Sequence, residues 1–100
     1  MTDKLKPCTR HERRNKLEIY YTILNSIRQE SKRVDIIRPT RIQFLSGLSY
    51  NVLLNYLKNL KENNLIHRSK EIILTKKGEQ FVKEYERLQK LINHLSDDYL

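Results

Sequence analysis

TRIQFLSGLSYNVLLNYLKNL, residues 40–60, decides how this chain reads. Thr40, with Gln43 three residues on, has the spacing of a capping box and predicts a helix start. Ile42, Phe44 and Leu45 supply the apolar side of a short first helix. Gly47 ends it, because glycine enters the left-handed conformation of a helix C-terminus without steric penalty. Ser49 caps a second helix almost at once. Leu48 and Leu53 have the spacing of a hydrophobic staple, which fixes the angle between the two helices. Two capped helices around a tight, glycine-containing turn are the sequence form of a helix–turn–helix.

The second helix, about 50–63, divides its surface. Leu53, Leu57 and Leu60 fall on one stripe, flanked by Tyr50, Leu54 and Tyr56. The opposite face carries Asn51, Asn55, Lys58 and Glu62. Asparagine can bridge two positions on an adenine edge in a major groove, and lysine can reach guanine or phosphate. Taken alone, this face also suits plain solvent exposure, so the chain on either side of the helix decides its meaning.

The chain has 100 residues, enough for one domain. Its 38% hydrophobic content allows a small core, of a size often helped by oligomerisation. Lys and Arg outnumber Asp and Glu 20 to 12, for a net charge of +8, which implies an anionic partner or a generally sticky surface. The charge is uneven: residues 1–77 hold 17 Lys/Arg against 7 Asp/Glu, and residues 78–100 hold 3 against 5. The basic part therefore contains the helix–turn–helix. No apolar run approaches the roughly 20 residues that span a bilayer, and MTDKLKPCTR has no apolar segment behind its basic residues, as a signal peptide would. Cys8 is the only cysteine, so no internal disulfide forms. A cytoplasmic, nucleoid-associated protein without membrane contact is expected.

Upstream, Thr9 and Glu12 offer a capping box and predict a helix from near Arg10 to about Gln29. Leu17, Ile19, Tyr20, Ile23, Leu24 and Ile27 recur along it at helical spacing. Arg10, Arg13, Arg14 and Lys16 at its start face either a DNA backbone or solvent. From Glu30 to Pro39 the pattern breaks; Val34, Ile36 and Ile37 suggest a loop holding one short strand, and Pro39 disfavours helix at Arg38.

Downstream, Asn63 and Asn64 end the second helix. Leu65–Ile66 and Ile72–Leu74 are short apolar runs around the polar segment HRSKE, residues 67–71. They read as a β-hairpin over about 65–74, a wing, with Arg68 and Lys70 at its tip to meet phosphates or a minor groove. Thr75 caps the last helix. Lys76 and Lys77 in its first turn oppose the helix dipole, a conflict that a phosphate bound there, or simple solvent screening, would relieve. Gly78, Phe81, Tyr85, Leu88, Ile92, Leu95 and Tyr99 then alternate steps of three and four, a heptad seam flanked by Val82 and Leu91. A helix over about 76–97 is longer than a small three-helix core can cover, and its far end needs a partner, most simply a second copy.

Taken together, these residues resemble the small archaeal winged-helix regulators. That group includes the crenarchaeal chromatin-type DNA-binding proteins, which dimerise through an antiparallel coiled coil of the last helix. The shared positions are Thr40, Arg41, Ile42, Phe44, Leu48, Ser49, Tyr50, Tyr56, Leu57, Leu74, Thr75, Lys77 and Gly78, within about 16–95. The segment before Thr40 is longer and more apolar than the family pattern, and Asn64 stands where glycine is common. The resemblance implies an α+β, mainly helical fold: a winged helix-turn-helix over 10–77 with a C-terminal dimerisation helix. It also implies DNA binding and a role in transcription. The seam itself does not separate parallel from antiparallel pairing.

Two functions compete. The first is a homodimeric double-stranded DNA-binding protein, a transcriptional regulator or chromatin-associated factor. Its base-contacting residues would be Ser49, Tyr50, Asn51, Asn55 and Lys58. Arg41, Arg68, Lys70, Lys76 and Lys77 would hold the backbone, and Phe81, Tyr85, Leu88, Ile92 and Leu95 would form the dimer interface. The second is a winged-helix module that uses the seam and the apolar wing to dock a protein partner, its basic residues serving solubility. An enzyme is not expected. His11, His67 and His94 are scattered, Cys8 and His11 make only two ligands of a zinc site, and HERRN lacks the second histidine of a zincin motif. Two glycines in total exclude a glycine-rich phosphate loop. No cofactor or metal is implied, and the aromatic–glycine motifs of common RNA modules are missing.

Overall fold

The structure is a computed structural model that describes residues 15–99, with side chains through residue 94. Thr9, Glu12 and the basic residues Arg10, Arg13 and Arg14 lie outside the described residues, as do Cys8 and His11. So do the side chains of Leu95 and Tyr99.

Helix α1, Lys16–Ser31, opens on Asn15, whose side chain accepts a hydrogen bond from the Glu18 N–H at 2.7 Å. Asn15 is extended (φ −76°, ψ 167°), so the helix carrying the apolar stripe starts at Lys16 rather than near Arg10. Asn15 satisfies an orphan N–H, and Glu18 in the first turn complements the dipole. Ile19, Tyr20, Ile23, Leu24 and Ile27 are buried at helical spacing, whereas Leu17 stays outside the stripe, 54% exposed.

The strand expected between Val34 and Ile37 is not formed. The backbone N–H groups of Arg33 and Val34 both turn back to the Glu30 carbonyl, and Ile37 alone is buried. The Glu30 carboxylate is itself buried. It accepts from Arg33 Nη1 at 3.0 Å and from Arg41 Nε at 3.1 Å, tying α1 to the next helix across the loop.

Helix α2, Pro39–Ser46, starts one residue before the expected cap. Arg38 is extended (φ −105°, ψ 144°) and makes no side-chain cap. Pro39 takes the first helical position, where its missing N–H costs nothing and its φ is already helical. Thr40 is therefore inside the helix, not its cap. Gly47 ends it in the left-handed conformation (φ 74°), its N–H reaching the Gln43 carbonyl. An eight-residue helix buries little: Ile42 and Ser46, one turn apart, face the core, and Phe44 points away from Ile42 with 75% exposure. Leu45 is also outward-facing.

Helix α3, Tyr50–Glu62, is capped by Ser49 Oγ, which accepts from the Val52 N–H at 3.3 Å. Leu53, Leu57 and Leu60 are fully buried, and Leu48 joins them in the core. Asn63 caps the far end and Asn64 takes the left-handed conformation (φ 63°). Strands β1, Ile66–Arg68, and β2, Ile72–Leu74, pair antiparallel with Ile66 opposite Leu74 and Arg68 opposite Ile72. Ile66 and Ile72 point inward. Arg68 thus belongs to a strand, and the tip is Ser69, Lys70 and Glu71.

Helix α4, Lys76–Tyr99, is capped as expected by Thr75 Oγ1, which accepts from the Gly78 N–H at 3.0 Å. The same hydroxyl lies within hydrogen-bond distance of the Asn64 and Leu65 carbonyls. Phe81 meets Tyr20 edge-on at 6.3 Å, Tyr20 meets Tyr56 edge-on at 5.8 Å, and Val82 is fully buried. Tyr85 stacks on Tyr21 with ring centroids 4.6 Å apart. Phe81 and Tyr85, expected in the dimer seam, are half-buried against the protomer's own core and α1.

Gly78, expected at the end of the seam, has a different reason to be glycine. A Cβ there would overlap the Leu65 carbonyl and come within 2.7 Å of Leu74 Cδ1. The Leu65 carbonyl also accepts the Thr75 N–H, so that backbone is not free to move aside. Gly78→Ala should cost about 2–3 kcal/mol by overpacking, a melting drop of roughly 10–20 °C for a domain of this size. At Gly47 a Cβ meets nothing within 4 Å, so Gly47→Ala should cost only the left-handed strain, about 1 kcal/mol. Thermal melts of the two variants giving the opposite order would contradict this account.

Candidate nucleic-acid interface

The cap at Ser49 and the buried leucine stripe set how α3 presents its outer side. With Leu53, Leu57 and Leu60 inward, Asn51, Asn55, Lys58 and Glu62 are all exposed. Tyr50 and Val52 at the start of the helix are 42% and 38% exposed. Ser49 is exposed too, but its oxygen is occupied by the cap.

The wing folds against the C-terminal half of α3 and leaves an open groove between them. Leu54, Asn55, Leu57, Lys58, Lys61, Arg68 and Ser69 line it. Three cations and no carboxylate line this groove, so its potential is positive. A surface of one charge sign beside low-dielectric walls concentrates counter-ions. Asn55, Lys58 and Arg68, expected at the interface from the sequence, come together here. Lys61 joins them and is not among the residues the sequence points to. It sits three residues beyond Lys58 and so on the same side of the helix. Only the placing of the wing on that flank brings it into the site.

The other expected backbone contacts are dispersed. Lys70 is exposed at the wing tip. Arg41 is engaged through Nε with Glu30, and its guanidinium lies 5.4 Å from the centre of the Phe44 ring. Lys76 is exposed at the start of α4. Lys77 Nζ donates to the Asn63 carbonyl at 2.9 Å. That bond supplies another answer to the dipole conflict read from the sequence. The Lys77 charge serves the C-terminal, negative end of α3, where a cation is favourable.

Beyond Tyr85, α4 leaves the core by a polar cluster. Glu86 Oε2 accepts from Tyr21 Oη and from Arg28 Nη2, each at 2.8 Å. The Arg28 and then the Tyr21 hydrogen bond hold the Glu86 carboxyl below the usual carboxylate range. Burial, and then the bond to Glu86, push the Tyr21 phenol up. Past this point Leu88, Leu91 and Ile92 are 51%, 55% and 46% exposed. Among the described residues, no cluster of His, Cys, Asp and Glu suits a metal ion, and no helix is long and apolar enough to cross a membrane.

Comparison with known proteins agrees with this geometry. A family model described as winged helix-turn-helix matches residues 13–93. Among solved structures, a mutant MepR from a multidrug-resistant S. aureus clinical isolate is similar, with a TM-score of 0.61 at 24% identity. The alignment covers 96% of this chain and 76% of that one, and at this identity it speaks for the fold alone. A search of curated proteins finds no match.

Proposed function

The chain belongs to the winged helix-turn-helix family, and on that premise we propose that it is a homodimeric double-stranded DNA-binding protein. Its role is that of a transcriptional regulator or chromatin-associated factor, without enzymatic activity, in the cytoplasm at the nucleoid. The observation that carries this reading is the cationic groove between α3 and the wing, set beside an exposed row of amides. Asn51 and Asn55, with Tyr50 and Ser49 at the helix start, enter the major groove. Lys58, Lys61 and Arg68 hold phosphates from the groove, while Arg41, Lys70, Lys76 and Lys77 outside it add only long-range attraction. Phosphate contacts fix the register of the protein, and the base edges give it preference.

The second copy is argued from α4. Its 24 residues reach about 36 Å, and the described side chains from Arg87 to His94 are all exposed. Leu88 and Ile92 then continue the heptad pattern into solvent, flanked by Leu91, which suits an identical helix. The likeness to chromatin-type archaeal proteins supports the same arrangement, with the paired helices antiparallel. A protein-docking function draws on a different feature, the exposed Phe44, and predicts no salt response.

Titration with duplex DNA over a range of salt separates them. With about six phosphate contacts in a dimer, log affinity should fall with log salt at a slope near −5. Salt-independent binding, or none at low salt, would overturn the DNA-binding reading.

A further inference from the structure

We infer that this protein prefers A·T base pairs and reads them from the major-groove side, through Asn51, Asn55 and Val52. The inference rests on the proposed DNA binding and specifies its substrate.

Three observations support it. First, the amides of Asn15, Asn25 and Asn63 are spent inside the fold: on the α1 cap, on Arg28, and on the Asn59 carbonyl. Those of Asn51 and Asn55 are exposed, one helical turn apart, on the outward face of α3. A side-chain amide offers one acceptor and one donor side by side, which matches adenine N6 and N7. Second, Val52 is 38% exposed beside them. An apolar group at that place suits the thymine methyl, which only the major groove displays. Third, arginine, the commonest reader of guanine, is absent from the α3 sequence YNVLLNYLKNLKE. Its lysines Lys58 and Lys61 line the groove toward Arg68 and the wing, where phosphate is the natural ligand. The helix therefore carries adenine and thymine chemistry at its outer face and charge at its flank.

The experiment compares duplexes of equal length at one salt concentration. An A·T-rich duplex should bind at least about fivefold tighter than a G·C-rich one for each contacted pair. Three base analogues then locate the readout. Replacing adenine by 7-deazaadenine removes the N7 acceptor and should weaken binding by a similar factor. Replacing thymine by uracil removes the methyl and should weaken it less. An inosine·cytosine duplex keeps the A·T minor-groove pattern but shows G·C-like major-groove edges, and should bind like G·C. Asn51→Ala with Asn55→Ala should abolish the preference while leaving the salt slope in place. Composition-blind binding would overturn the inference but not the DNA-binding function. So would inosine·cytosine behaving like A·T, which would move the readout to the minor groove. Absence of duplex binding would remove both.

Discussion

Replacing Lys58, Lys61 and Arg68 together by alanine should lower duplex affinity by roughly a thousandfold at low salt and bring the salt slope close to zero. Six phosphate contacts in a dimer are three per protomer, which is the number of cations the α3–wing groove supplies. Each contact contributes about −0.9 to the slope, so the triple variant loses almost the whole electrostatic part of binding. The fold should survive, because Lys58 and Lys61 are exposed and Arg68 is half-exposed. Surface changes of this kind usually move stability by less than about 0.5 kcal/mol. Restoring charge with arginine at positions 58 and 61 should restore most of the slope. Lys77→Ala is the informative control. Its ammonium is bonded to the Asn63 carbonyl, so it should lower the melting temperature more than the slope. Equal slopes for wild type and triple variant would remove the groove from the binding surface.

The parts of the fold legible in the sequence are those fixed by local chemistry. Gly47, Ser49 and Thr75 each act within a few residues, and each acts as read. The buried stripes of α1 and α3 follow from helical spacing alone. The parts not legible depend on competition between neighbours or on residues far apart. The start of α2 is set by Pro39, whose fixed φ outcompetes the Thr40–Gln43 capping box. The buried Glu30 is held by Arg41, eleven residues on. With the Glu30 carbonyl also taking two N–H groups, the Val34–Ile37 segment finds no ladder, and its β-branched side chains cannot make a strand alone.

The candidate site shows the same division. The outward amides and Lys58 follow from the helix period. Arg68 is expected at the wing tip when the whole polar run of five residues is read as the turn, whereas the pairing of Ile66 with Leu74 leaves only three. That register moves Arg68 into the groove and leaves Lys70 at the tip. Gly78 fits the heptad by its spacing. Its need for glycine comes from the Leu65 carbonyl, thirteen positions back. Phe81 and Tyr85 fit the seam equally well, and nothing in their spacing says that α1 covers them first.

Leu88→Glu combined with Ile92→Glu should separate the dimer and, with it, most of the DNA affinity. Both side chains are about half exposed in the protomer, so the changes leave its core intact. They place four carboxylates in the paired seam of two copies, where burial of unpaired charge is strongly unfavourable. Sedimentation should then give the 12.1 kDa chain mass in place of twice that value. Tethering two readers makes the second contact intramolecular, and losing the tether removes about 10²–10⁴ in overall affinity. Phe81→Ala should behave in the opposite way. It removes a half-buried ring packed on Tyr20, so it should destabilise the protomer, though by less than the roughly 3–5 kcal/mol of a fully buried Phe, before it affects association. The two variants therefore test a division of α4 at the Glu86 cluster into a half that builds the domain and a half proposed to join domains. A double glutamate variant that still sediments as a dimer would place the interface elsewhere. A monomer that binds duplex as tightly as wild type would show that one reader suffices.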